Sequence, residues 1–128
     1  MSLLAFVPQT DIERRILEVQ AGRHPADALM LELAGAELCI PSLAKVQDGW
    51  RGYAPVLLEQ NDIAFVAVFT AAFRQTLAFA PHLLRAPGKA FFLRLPAGYG
   101  LVFNPGYDAE MFLPPEGVAM LKQDLARP

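Results

Sequence analysis

Apolar residues in the first third of this chain recur every three or four positions. In the middle they run together, and near the C-terminus the helical spacing returns. Ile12, Ile16 and Val19, with Leu17 widening the stripe, have the period of an amphipathic helix. Thr10 and Glu13 stand before that stripe at the spacing of a capping box, in which hydroxyl and carboxylate satisfy backbone N–H groups at a helix start. Gly22 supplies its stop. His24-Pro25 restarts the chain with a residue suited to a first helical turn, Leu29, Met30 and Leu33 form a second buried face, and Gly35 ends it. The two predict an αα-hairpin.

The period then shortens. Glu37-Leu38-Cys39-Ile40 reads as a strand stopped by Pro41, followed by an irregular loop from Ser42 to Ala54 that holds Gly49, Trp50, Gly52 and Tyr53. Val56–Glu59 and Ile63–Phe69 read as strands joined by Gln60-Asn61-Asp62, a hairpin by its turn chemistry. The second is almost wholly apolar, which predicts a central strand buried on both faces. Thr70 is placed to cap a third helix from Ala71 to about Ala80, with Phe73, Leu77 and Ala80 inward and Pro81 closing it. Leu83-Leu84-Arg85 suggests a short strand, while Gly88–Leu95 fits helix and strand alike. Leu101-Val102-Phe103 reads as a core strand, Met111-Phe112-Leu113 as an edge strand. Pro114-Pro115-Glu116 opens a last helix with Val118, Leu121 and Leu125 on one side. The expectation is one α+β domain over 1–128: a mixed β-sheet of four to six strands, flanked by the N-terminal αα-hairpin and further helices.

Composition sharpens this picture. Hydrophobic residues are 54% and charged residues 19% of the chain, against about 25% charged in an ordinary soluble domain. A domain of 128 residues has too much surface to hide that surplus, so part of it should meet another subunit or a partner. The net charge is −2 and the basic residues are scattered from Arg14 to Arg127, which argues against nucleic acid. The single cysteine, Cys39, permits no intrachain disulfide and fits a reducing compartment. The longest apolar run, Ile63–Phe69, falls far short of the about 20 residues that span a bilayer, and Met1–Pro8 has neither the length nor the basic start of a signal peptide. A cytoplasmic protein with no membrane contact is expected.

Taken in order, the strand ending Val68-Phe69-Thr70, the later Gly100-Leu101-Val102-Phe103-Asn104-Pro105-Gly106, the edge strand and the Pro-Pro-Glu helix resemble the N-terminal domain of the SseB family, the "enhanced serine sensitivity" proteins. The likeness covers about residues 30–125, and its most specific part is the Asn-Pro-Gly strand end. Two departures stand out: Ala71-Ala72-Phe73 replaces a polar helix start, and longer members carry a second domain. The resemblance implies a bacterial α+β protein without established catalytic residues.

Candidate chemistry is sparse. Asn104-Pro105-Gly106-Tyr107 satisfies the demands of a type II turn, with proline second and glycine third. Asn104, before proline, is expected in extended geometry. The same turn is also a candidate binding loop, presenting Asn104, Gly106 and Tyr107. Trp50, Tyr53, Tyr99 and Tyr107 all fall in loops or turns, where such residues serve as packing or as binding hot spots. Cys39 between Leu38 and Ile40 reads as an inert buried thiol. His24 and Asp27 are three apart, but two histidines and one cysteine are too few for a zinc site. No catalytic residue, metal or cofactor is expected. The leading expectation is a non-enzymatic interaction or regulatory module that binds a protein partner or itself through an apolar surface edged by Trp50, Tyr53 and Tyr107. The alternatives are a small-ligand regulator linked to amino-acid metabolism, using the Asn104–Tyr107 turn, and an enzyme using Cys39 or His24.

Overall fold

A computed structural model of the chain describes residues 3–127. Helix α1, Asp11–Gln20, starts at Thr10, whose side chain accepts from the Glu13 N–H at 3.2 Å. The reciprocal contact is displaced by one residue, because the Glu13 carboxylate accepts from Gln9 N–H at 2.8 Å. Helix α2, Ala26–Ala34, buries Leu29 and Leu33 and ends at Gly35. Strand β1, Glu37–Ser42, does not stop at Pro41 as the sequence suggests; Pro41 pairs with Leu83 within the ladder. Its missing N–H is tolerable in a two-stranded sheet, where only one side of the strand is occupied along most of its length.

The hairpin of β2, Leu57–Gln60, and β3, Ile63–Val68, turns through Asn61 and Asp62, both left-handed at φ 53° and 65°. That pair of positive φ values is what a two-residue type I′ turn requires, and Asn and Asp tolerate it better than most. Strand β4 is His82–Pro87, helix α3 Gly88–Arg94, strand β5 Gly100–Phe103, strand β6 Met111–Leu113 and helix α4 Pro115–Ala126. The larger sheet has the order β2-β3-β5-β6, with β3 and β5 parallel and the other neighbours antiparallel. The pair β1-β4 forms a second sheet, joined to the first where Cys39 and Phe69 exchange backbone hydrogen bonds of 2.9 and 2.8 Å. The architecture is α+β, with the helical hairpin at the N-terminus and β3 central, as its apolar run predicts.

The larger sheet is apolar on both faces. Val66, Val68, Leu101 and Phe103 point into the main core with Ile16, Leu29, Leu33 and Phe92. Phe65, Ala67 and Val102 point the other way, where Val56 and Ala80 cover them. Phe69, Phe92 and Phe103 are fully buried, each worth roughly 1.5–3 kcal/mol of transfer free energy. Phe92 meets Phe103 edge-on at 6.3 Å. The ambiguous Gly88–Leu95 stretch is a helix, and Gly88 shows why it sits where it does. A Cβ there would lie 2.1 Å from the Leu33 carbonyl oxygen, so only glycine lets α3 start against the end of α2.

The third helix expected over 71–80 does not form. Only a 3₁₀ turn, Ala72–Arg74, appears; Phe73 is 60% exposed instead of inward, while Ala80 is buried. The would-be cap is otherwise engaged: Thr70 donates its hydroxyl to Glu13 at 2.6 Å and its N–H to Asn104 at 3.1 Å. Arg74 is drawn into the interior, which a helix with Phe73 inward forbids. Gln75 then supplies local bonds to Leu77 N–H and to the Ala80 carbonyl, and such side-chain bonds compete with a helical ladder.

Candidate functional site

The loop between β1 and β2 is held at its base by Ser42, which is fully buried. Its hydroxyl donates to the Ala44 carbonyl at 2.6 Å and accepts from Ala54 N–H at 3.0 Å. From that base the chain rises through the turn Asp48–Trp50. Trp50 itself has φ +67°, a conformation that costs a bulky residue about 1–2 kcal/mol and that clusters at binding sites. The Arg94 guanidinium lies 4.0 Å over the indole, and the Phe91 ring sits 6.4 Å from Trp50 and 6.3 Å from Tyr53. Together with Tyr99 and Leu57 they wall a cleft of about 340 Å³. The Tyr53 hydroxyl is buried without a hydrogen-bond partner among the described residues. Burial pushes its pKa well above the ordinary phenolic value, so it remains a neutral donor.

Tyr107 is not at this cleft. It is 6% exposed and packs edge-on against Phe6 at 5.9 Å, so the surface expected along Trp50, Tyr53 and Tyr107 divides in two. The Asn104–Tyr107 turn does close as a type II turn, with Tyr107 N–H donating to the Asn104 carbonyl at 3.3 Å and Gly106 at φ +89°. Asn104 is not extended, however. It has φ +53° and no solvent exposure, because its carbonyl side must face Thr70, where Oδ1 accepts the Thr70 N–H. Asn104 Nδ2 is buried and unpartnered among the described residues. Of the turn's expected binding residues, Gly106 alone is exposed.

What the turn supports is a buried ion pair that sequence reasoning missed. Arg74 donates through Nε to Glu13 Oε2 at 2.9 Å and through a terminal nitrogen to Oε1 at 2.8 Å. Glu13 is fully buried and Arg74 is 4% exposed. Burial alone would raise the Glu13 pKa, but Arg74, the Thr70 hydroxyl and the Gln9 N–H together hold it below the ordinary carboxylate value. Arg74 in turn is raised, chiefly by its hydrogen bonds to Glu13. Its guanidinium is stacked over Phe6 at 4.2 Å and Phe73 at 4.7 Å, and it donates to the Val7 carbonyl. The N-terminal segment is laid across this pair: Leu4 N–H donates to the Gly106 carbonyl at 2.9 Å and Phe6 N–H to the Asp108 carboxylate at 3.0 Å. One signal in the sequence pointed here. Glu13 stands three and four residues before Ile16 and Leu17, on the apolar stripe of α1.

Cys39 is 3% exposed, and its pKa is raised, mainly by burial. His24 meets Glu32 at 2.6 Å, and Asp27, in the first turn of α2, accepts from Ala28 N–H at 3.0 Å. Among the described residues no three His, Cys, Asp or Glu side chains come together as a metal site, and no helix is long and apolar enough to cross a membrane.

No curated protein and no solved structure matches the chain. The family model of the SseB protein N-terminal domain matches residues 12–120, from the first turn of α1 into α4. That span holds the Asn-Pro-Gly strand end, both β-sheets and the partners Glu13 and Arg74. The chain belongs to the SseB N-terminal domain family.

Proposed function

We propose that the chain is a non-enzymatic interaction module that self-associates through an apolar surface centred on the Trp50–Tyr53 cleft. The observation that carries this reading is the cleft itself: Trp50 held at positive φ, with Tyr53, Phe91 and Tyr99 around it and Leu57 45% exposed at its wall. Tryptophan, tyrosine and arginine in a partly desolvated pocket are the residue types that dominate binding energy at interfaces. The 54% hydrophobic composition supplies more apolar surface than one small domain hides, and the family is not a known enzyme family. A small-ligand role for the Asn104–Tyr107 turn draws no such support, because Asn104 is enclosed and Tyr107 is 6% exposed.

Trp50 is the chain's one tryptophan, so its emission reports on the cleft directly. In a dilution series followed by sedimentation velocity and fluorescence, the mass should fall and the emission should shift to the red over the same concentration range. Trp50→Ala should weaken association by about tenfold or more, the mark of a hot-spot residue. A monomer at every concentration, or a dimer indifferent to Trp50→Ala, would refute the reading.

A further inference from the structure

Helix α4 presents Gly117, Met120, Leu121 and Asp124, spaced i, i+3, i+4, i+7, to a groove of about 510 Å³ that shares no lining residue with the Trp50 cleft. Across the groove stand Asp27 and Met30 of α2, and its floor is Phe103 with strand β6. Three features single it out. All three methionines among the described residues line it, Met30, Met111 and Met120. Met120 is 66% and Phe112 42% exposed. The charged residues lining it are Asp27 and Asp124, both acidic.

We propose that this groove seats a basic amphipathic helix of a partner protein. The charge of the rim selects the partner: two carboxylates above an apolar floor match an apolar helix face flanked by Lys or Arg, and repel an acidic one. Arg127 lies 3.7 Å from Asp124, but the two side chains are 75% and 51% exposed; so loose a surface pair is readily exchanged for a partner's cation. The walls are helices, and methionine side chains adapt to the i, i+3, i+4 anchors of a docked helix. Strand addition is a poorer fit, since β6 is an edge strand of three residues and offers few backbone bonds. A second copy of this chain is also a poor occupant. Arg14 and Arg15 lie on α1, whose apolar stripe is already buried at Ile16.

The test uses the whole chain with methyl-labelled methionine, titrated with a synthetic Leu/Lys amphipathic helix and with its Leu/Glu counterpart. The Leu/Lys peptide should shift the Met111 and Met120 methyl resonances saturably, and the Leu/Glu peptide should bind at least about tenfold more weakly. Asp27→Asn with Asp124→Asn should weaken the Leu/Lys complex by about three- to tenfold. Met120→Ser should weaken it as well. All three positions are exposed, so an unchanged melting temperature confirms that the variants fold. Absence of binding, equal binding of the two peptides, or binding that leaves the Met111 and Met120 methyl resonances unmoved would overturn the proposal. None of these outcomes bears on the self-association read by the Trp50 dilution series.

Discussion

Replacing Glu13 by Ala should destabilise the protein far more than replacing both members of the Glu13–Arg74 pair. At 2.8 Å between nitrogen and oxygen, two unit charges attract by about 6 kcal/mol at an effective dielectric of ~20. Removing two ions from water costs several kcal/mol each, so the pair's net contribution is small. A lone ion keeps the cost without the attraction. Arg74 has 5% of its side chain exposed and Glu13 none, and Glu13→Ala leaves the guanidinium among Phe6, Phe73 and Tyr107, with the Val7 carbonyl but no carboxylate to pair its charge. The expected loss is about 3–5 kcal/mol, a large part of the about 5–15 kcal/mol that holds a typical domain together. For a chain of 128 residues this corresponds to about 10–20 °C in Tm. Glu13→Leu with Arg74→Met should recover most of it, because no unpaired charge is left in the interior. Urea unfolding of Glu13→Leu, Arg74→Met, the double variant and the parent gives the coupling directly, provided the m-values agree. A single-variant loss below about 1 kcal/mol, or strict additivity of the two substitutions, would refute the reasoning.

The same carboxylate predicts a pH dependence. Its folded pKa lies below the ordinary 4.5, so the stability it contributes is complete above that value and is lost as pH falls through the folded one. Melting temperatures from pH 7 to pH 3 should therefore drop more steeply for the parent than for Glu13→Gln, and parallel curves would contradict this. Gly88→Ala should cost at least about 3 kcal/mol, because its Cβ would meet the Leu33 carbonyl at 2.1 Å. Gly35→Ala, with its nearest contact at 3.5 Å, should stay within about 0.5 kcal/mol; thermal melts of the pair separate crowding from a general intolerance of the α2 end. Cys39, 3% exposed with a raised pKa, should react with a thiol reagent only as fast as the structure opens. Rapid stoichiometric labelling of the native protein would show the thiol to be accessible.

Elements whose signals are local were legible in the chain itself. The stripes of α1, α2 and α4, the uninterrupted apolar run of β3 and the turn at Asn61-Asp62 each carry their information within a few residues, and each element lies where that information puts it. The type II geometry of Asn104–Tyr107 belongs to the same class, since proline and glycine impose it on any neighbours. Segments whose conformation is set by distant partners were not legible. Residues 71–80 have a helical pattern and are mostly not helical, because Arg74 reaches Glu13 across 61 positions and Thr70 is held by Glu13 and Asn104. Gly88–Leu95 fits helix and strand alike by its local pattern, and the contact of Gly88 with the end of α2 belongs to the tertiary structure alone. The candidate site divides along the same line. Aromatic residues in the Ser42–Ala54 loop marked Trp50 and Tyr53, yet nothing local could say that Tyr107 turns inward or that Phe91, Arg94 and Tyr99 complete the cleft. Sequence alone determined which residues favour helix, strand or turn. Tertiary structure decided which polar groups had to find each other inside, where an unpaired charge costs more than a helical turn contributes.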